Sequence, residues 1–185
     1  MNSYNIPLVT QVCDISPDVY KMSRSEQVEH LSSILEADLE TARAFYARNH
    51  VTKGMSEFLR GAVKRLAGNS QQAVFELRQA MGGGKTHNMI ALGLLSRFPE
   101  LRDLIPQEIT VGMSDEPARI ATVNGRDVQK YVWGDIAEQL GEAEAFRDHW
   151  VNGPKEMSEG DWMRLIGDKP TLIMLDELPP YLAMR

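Results

Sequence analysis

A glycine-rich segment followed by lysine and threonine is the part of the sequence best suited to bind phosphate. It reads Gly82-Gly83-Gly84-Lys85-Thr86. Glycines let the backbone curl tightly with its N–H groups turned inward, and a following helix presents its positive end to an anion. In such a loop Lys85 would reach the β- and γ-phosphates, and the Thr86 hydroxyl would complete the shell of a bound Mg²⁺. We therefore expect a nucleotide-phosphate site here.

The segment departs at one position from the phosphate-loop pattern G-x-x-x-x-G-K-[ST]. Gln79 stands where the first glycine belongs, and that glycine normally eases the turn out of the preceding strand. The substitution indicates either a different exit geometry or compensation by Gly82 and Gly83. An ordinary left-handed glycine turn between a strand and a helix is the alternative interpretation.

Two carboxylates follow the apolar run of residues 171–175. A continuous apolar run is typical of a strand buried on both faces. In P-loop enzymes an acidic residue at the end of such a strand holds Mg²⁺, and a following glutamate orients and activates the attacking water. We assign Asp176 to the metal and Glu177 to the water. A helix cap or a solvated turn is the alternative for this pair.

The elements around these residues predict an α/β fold with a parallel sheet. Residues 74–78 have the composition of a strand, and an apolar helix follows the glycine loop and stops near Pro99. Further strands are expected at 119–123, before the turn Asn124-Gly125, and at 171–175. Because ligands bind at the carboxyl ends of parallel strands, the loop and the acidic pair are expected to share one site.

The remaining segments are predicted to be mainly helical. Apolar spacing and turn residues mark the expected elements. They are a helix from Ser23 (with Glu26 in a capping box) to about Arg48, one from Lys53 to Leu66, one from Trp133 to Phe146, one capped by Ser158 and Asp161, and a weak strand at 108–111. We therefore expect residues 1–70 to be an N-terminal lead-in with helices and residues 71–185 to be a P-loop core that carries the glycine loop and the acidic pair.

Composition restricts the protein class. The chain has 185 residues, 43% hydrophobic and 25% charged, with a net charge of −6, as expected of a globular domain. No cluster of basic residues supports direct nucleic-acid contact. Cys13 is the only cysteine, which excludes an intrachain disulfide and fits a reducing compartment. With no signal peptide and no apolar run of membrane-spanning length, we expect a cytoplasmic protein without membrane contact.

Two motifs resemble a known family. MGGGKTH at 81–87 and LDELPPY at 175–181 are similar to the large predicted AAA+ type ATPases of bacterial phage-defence gene clusters. The resemblance implies ATP binding and Mg²⁺-dependent ATP hydrolysis within a longer polypeptide. The nucleotide-binding residues that it implies are Gly82, Gly83, Gly84, Lys85, Thr86 and His87.

The same resemblance implies roles for further residues. Thr86 and Asp176 would hold Mg²⁺, while Lys85 and Glu177 would be catalytic. In AAA+ proteins a segment well upstream of the loop touches adenine, and Val51-Thr52 lie in a comparable place. The implied partners are ATP, the remainder of a longer polypeptide and other defence proteins, with a homo-oligomer as a possible assembly.

An AAA+ sheet has the strand order 5-1-4-3-2, in which the strand after the acidic pair inserts between the glycine-loop strand and the acidic strand. That strand, a polar sensor, an arginine finger and a helical lid do not occur in this sequence. We therefore expect an incomplete AAA+ core that is the N-terminal part of a larger protein and hydrolyses ATP poorly alone. A nucleotide-binding regulatory module without turnover and a small-molecule or nucleotide kinase are the alternatives.

Overall fold

The computed structural model describes residues 30–78 and 82–183. The first half of this part is helical and contains the glycine loop. Its elements are α1 Ser33–Glu36, α2 Leu39–Arg48, α3 Lys53–Leu66, α4 Lys85–Arg97, a 3₁₀ helix Pro99–Leu104 and α5 Gln107–Thr110.

The second half adds two strands and shorter helices. Its elements are β1 Arg119–Asn124, α6 Tyr131–Gln139, α7 Ala143–Phe146, a 3₁₀ helix Arg147–His149, α8 Glu159–Ile166, β2 Thr171–Asp176 and α9 Leu178–Ala183. The described part is therefore a helix-rich structure with a small sheet, consistent with an α/β fold.

The sheet consists of β1 and β2, which pair in parallel. The register runs from Arg119 opposite Thr171 to Asn124 opposite Asp176. The strands predicted at 119–123 and 171–175 and their parallel direction are confirmed. Because the strands end level with each other, the residues that follow β1 lie beside those that follow β2.

Each face of the sheet carries its own hydrophobic core. Ile120 and Met174 belong to the larger core, which the helices up to α5 supply. Ala121 and Val123 belong to a smaller core with side chains of α6, α7 and α8. The alternation of neighbouring side chains along a strand produces this division. The helix α4 packs on the sheet from the side of the larger core.

Side-chain caps begin two of the predicted helices. Thr52 Oγ1 accepts from the Met55 N–H at 3.3 Å at the start of α3. Ser158 and Asp161 form a reciprocal capping box at the start of α8, as the sequence predicts. Hydrogen bonds from the Ser158 hydroxyl and backbone N–H lower the pKa of the Asp161 carboxyl. Both helix predictions are confirmed.

The predicted strand at 74–78 is wrong. These residues adopt no regular secondary structure, and the Val74 side chain is 80% exposed. The Phe75 ring packs against Phe58 of α3 at 6.1 Å between centroids. A strand is stabilised by pairing with a neighbour, and neither described strand pairs with this segment.

The predicted long helix ending at Arg48 is two helices where it is described. The chain becomes extended at Ala37, and Asp38 caps α2 by accepting from the Thr41 N–H at 2.8 Å. Asparagine and aspartate favour such caps over helix interiors, which explains the break. The expected Ser23 and Glu26 capping box lies outside the described residues.

Three further predictions need correction. The weak strand at 108–111 is instead largely the helix α5, Gln107–Thr110. The helix expected from Trp133 to Phe146 is interrupted at Gly141, whose φ of 78° lies in the left-handed region that glycine tolerates. The strand β2 is not buried on both faces, since Leu175 is 40% exposed.

Candidate nucleotide site

Two glycines of the loop have left-handed backbone conformations, which the phosphate-loop interpretation and the ordinary-turn interpretation both allow. Gly82 and Gly84 have φ values of 78° and 77°, where a Cβ atom would be strained. A Cβ atom built on either residue would meet no atom within 4 Å, so the loop has open space beside it. Gln79 lies outside the described residues. The effect of glutamine in place of the first glycine of the pattern therefore stays a prediction.

The helix α4 begins at Lys85 directly after this loop, with Gly84 as its N-cap. The N–H groups of a first helical turn have no carbonyl partners within their own helix, and the helix dipole adds partial positive charge there. Lys85 and Thr86 occupy this turn as half-buried residues. The local geometry is therefore suited to an anion such as a phosphate.

A hydrogen bond joins the residues after the glycine loop to the acidic strand end. Thr86 Oγ1 donates to Asp176 Oδ2 at 2.7 Å, across 90 positions of sequence. Thr86 and Asp176 belong to two separate motifs, and the sequence predicts that both bind the same metal ion. The fold brings their oxygen atoms into contact. Asp176 Oδ1 in turn accepts from the Glu177 N–H at 3.0 Å.

Glu177 lies at the rim of the same site. Its φ of 51° places a residue other than glycine in the left-handed region. Its side chain is 48% exposed, and its Oε2 accepts from the Arg126 guanidinium at 3.3 Å. The carboxylate is therefore held on one side by a cation and is open to solvent on the other.

The turn after β1 also lies at this rim. The sequence analysis did not predict that this turn is part of the site. The Gly125 N–H donates to the Asp176 carbonyl oxygen at 2.8 Å, and Arg126 reaches Glu177. Sequence reasoning identified Asn124-Gly125 only as a turn. The parallel order of β1 and β2 was the available signal, because it places both strand ends side by side.

His87 faces the N-terminal helices. Its ring lies 4.9 Å from the Phe45 ring of α2 between centroids, with the planes tilted by 33°. One residue further along α2, the Tyr46 hydroxyl donates to the Ala91 carbonyl oxygen of α4 at 2.7 Å. Burial raises the pKa of Tyr46. These contacts attach α2 to the first half of α4.

Val51-Thr52, proposed near adenine, occupy structural positions. Thr52 caps α3, and Val51 packs against the larger hydrophobic core as a partly buried side chain. Both observed contacts are ones that an ordinary helix start would make. An adenine contact by these residues stays a prediction.

The oxygen atoms at the site fit Mg²⁺ bound together with phosphates. Hydroxyl and carboxylate oxygens are ligands that Mg²⁺ prefers, and the ion commonly takes only one or two carboxylates while water and substrate phosphates supply the rest. The described residues contain no cluster of three or more His, Cys, Asp or Glu side chains that could hold a metal ion alone. Thr86 and Asp176 would therefore hold the ion jointly with a nucleotide.

Comparison with known proteins yields one family match. Residues 13–105 match the family described as the DUF499 N-terminal domain, and this match spans half of the chain. The chain belongs to the DUF499 family. The matched range contains the glycine loop and ends before β1, so it does not include Asp176 or Glu177 of this DUF499 chain. No curated protein and no solved structure matches.

Among the described residues, no helix has the length and apolar character needed to cross a membrane.

Proposed function

We propose that this DUF499 chain binds ATP with Mg²⁺ and hydrolyses it as the N-terminal part of a larger AAA+ type ATPase. The resemblance of the two motifs supports a role in bacterial anti-phage defence. The observation that carries the proposal is the 2.7 Å hydrogen bond from Thr86 Oγ1 to Asp176 Oδ2. It unites a glycine loop and a strand-end carboxylate, the two elements that P-loop enzymes use to hold nucleotide and metal.

The residues divide between binding and chemistry. The backbone of Gly82, Gly83 and Gly84 would surround the phosphates, and Lys85 would neutralise their charge. Thr86 and Asp176 would hold Mg²⁺, which neutralises phosphate charge when bound. His87 would lie at the outer edge of the phosphate site, since its ring also contacts Phe45.

Glu177 would orient and activate the attacking water. The water oxygen bonds to the γ-phosphorus as the bond from that phosphorus to the β–γ bridging oxygen breaks, which releases ADP and phosphate. The carboxylate of Glu177 accepts the proton that the water loses, and it later returns this proton to solvent. Lys85 stabilises the negative charge on the transferring phosphoryl group.

A nucleotide-binding regulatory module without turnover is the second candidate. The segment before the glycine loop is not a strand of the sheet, and Val74 is 80% exposed. A loop that is not held by a paired strand can bind phosphate, whereas hydrolysis needs its groups fixed closely. Turnover therefore separates the two candidates, while binding does not.

The first experiment tests binding. Lys85→Ala should abolish the affinity for ATP with Mg²⁺ because it removes the cation of the phosphate site. Lys169→Ala removes the same charge from an exposed turn residue and serves as the matched control. Isothermal titration calorimetry measures the ATP affinity of both variants, each made in the longest polypeptide that contains this chain. Equal ATP affinity for Lys85→Ala and the parent would exclude the glycine loop as the nucleotide site.

The second experiment tests hydrolysis. Glu177→Gln should trap bound ATP, because the amide cannot accept a proton from water, whereas the parent should convert ATP to ADP. Glu57→Gln, at an exposed position of α3, is the control for the loss of one negative charge. The bound nucleotide is identified by chromatography after rapid gel filtration. Equal ATP retention by Glu177→Gln and the parent would refute the hydrolase and favour the regulatory module.

A further inference from the structure

The turn that follows β1 lies directly against the backbone of Glu177. The Gly125 N–H donates to the Asp176 carbonyl oxygen at 2.8 Å. A Cβ atom at residue 125 would lie 2.3 Å from the Glu177 carbonyl oxygen and 2.9 Å from Leu178 Cα. Only glycine allows this approach, since real Cβ atoms do not come that close to backbone atoms. The turn and the rim of the site therefore form one packed unit.

Glu177 has an unfavourable backbone conformation within this unit. A φ of 51° is costly for a residue with a Cβ atom and persists only where surrounding contacts hold it. Two such contacts are present: the hydrogen bond from its own N–H to Asp176 Oδ1 at 3.0 Å and the close packing of Gly125. The backbone of Glu177 thus has a defined position.

Arg126 contacts the side chain of Glu177 from the same turn. Its N–H donates to Asn124 Oδ1 at 3.0 Å, which fixes the turn. Its guanidinium donates to Glu177 Oε2 at 3.3 Å. The Arg126 and Glu177 side chains are 64% and 48% exposed, and an ion pair this exposed adds little to folding stability. The geometric consequence of the pair is that Glu177 Oε2 lies against the guanidinium.

We propose that Arg126 is a positioning residue for Glu177. By holding Oε2, it leaves the other carboxylate oxygen as the one that contacts the attacking water. The assignment rests on the proposed function, in which Glu177 activates this water. Because small errors in the placement of a catalytic group are costly, loss of the guanidinium should slow hydrolysis without weakening nucleotide binding.

The test compares Arg126→Gln, Arg126→Lys and the control Arg60→Gln, an exposed arginine of α3. All are made in the longest polypeptide that contains this chain. We expect kcat for MgATP hydrolysis to fall about fivefold in Arg126→Gln, the size of effect of one exposed ion pair. KM and the dissociation constant for MgATP should not change. Arg126→Lys should retain most of kcat, and Arg60→Gln all of it.

The outcomes separate this proposal from the function on which it rests. If the parent hydrolyses ATP and Arg126→Gln has equal or higher kcat, the positioning role is wrong while the ATPase stands. A fall in nucleotide affinity instead of kcat would make Arg126 a binding residue and overturn the proposal. If the parent neither binds nor hydrolyses ATP, the ATPase proposal fails and this one with it. Urea unfolding of each variant establishes that it remains folded.

Discussion

Thr86 and Asp176 link the two motifs at the scale of single residues. Their oxygen atoms are 2.7 Å apart, which places the first turn of α4 against the end of β2. Glu177, one residue on, is held by its own N–H and by Arg126. The site therefore consists of a few short polar contacts beside three glycines whose conformation or packing excludes a side chain, namely Gly82, Gly84 and Gly125.

Gly125 is the glycine whose replacement has the clearest consequence. In Gly125→Ala, the added methyl group would collide with the Glu177 backbone and displace either the turn or Glu177. We expect a loss of about 2 kcal/mol in the free energy of unfolding, the usual cost of overpacking. Urea unfolding followed by circular dichroism measures it.

Gly54→Ala in α3 is the matched control for this substitution. A Cβ atom at residue 54 would meet nothing within 4 Å. Alanine is favoured over glycine in a helix by up to about 1 kcal/mol, so this variant should be unchanged or more stable. Equal unfolding midpoints for Gly125→Ala and the parent would show that the turn is not packed against Glu177 as described.

The helix α4 is the element that connects the site to the core. Its first turn carries Lys85 and Thr86, while its later residues are buried between α1 and the sheet. Gly93 marks the closest approach, because a Cβ atom there would lie 2.6 Å from Ile34 Cδ1 and 2.9 Å from Met174 Cε. Small size at this position lets α1 and β2 both contact the helix.

Gly93→Ala tests this packing. The helix propensity of alanine adds about 1 kcal/mol of stability, whereas overpacking costs about 1–3 kcal/mol. We therefore expect a net loss of about 1 kcal/mol in the free energy of unfolding, measured with urea. The cost should exceed the gain because Ile34 is fully buried and cannot move freely.

Ile34→Val supplies the control for Gly93→Ala. It removes Cδ1, the nearest of the atoms that the new methyl group would meet. Alone it should cost about 1 kcal/mol, but it should cost less in the Gly93→Ala background. A double-mutant cycle without coupling between the two substitutions would contradict the close contact of α1 and α4.

At the scale of the whole described structure, two hydrophobic cores lie on opposite faces of a two-stranded sheet. The larger core joins the N-terminal helices to α4, and the smaller core joins α6 and α8 to the other face. Tyr46 contributes a buried polar contact to the larger core, through its hydrogen bond to Ala91. The global stability should therefore respond to the ionisation of this one side chain.

The stability of the protein should fall at alkaline pH partly because of Tyr46. Burial raises the pKa of Tyr46 above its usual value, so the folded protein keeps the proton after the unfolded chain has lost it. The contribution of Tyr46 is full below about pH 10, the unfolded value, and is lost progressively as the pH rises further. Urea unfolding at several pH values measures this decline.

Tyr46→Phe isolates the effect from that of other titrating groups. Near pH 8 it should cost about 1 kcal/mol, the value of the lost hydrogen bond. Near pH 10.5 the difference between parent and variant should shrink by about 1 kcal/mol, because only the parent has Tyr46 to ionise. A difference that does not depend on pH would show that Tyr46 is not buried in the folded protein.

Much of this structure follows from local signals in the sequence. The apolar runs ending in Asn124 and Asp176 indicate two strands, the apolar spacing of residues 53–66 and the cap at Ser158 indicate two helices, and the glycines before Lys85 indicate a turn at the start of a helix. Such signals act within a few residues, through backbone freedom and side-chain caps. These signals can therefore be recognised from a single sequence.

The tertiary structure decided which segments pair and what lies beside the acidic residues. Residues 74–78 have the composition of a strand but no strand partner among the described residues, because pairing depends on distant chain segments. The contact of Thr86 with Asp176 and that of Arg126 with Glu177 span 90 and 51 positions. No local pattern specifies such distances. They follow from the parallel register of β1 and β2 and from the packing of α4 on that sheet.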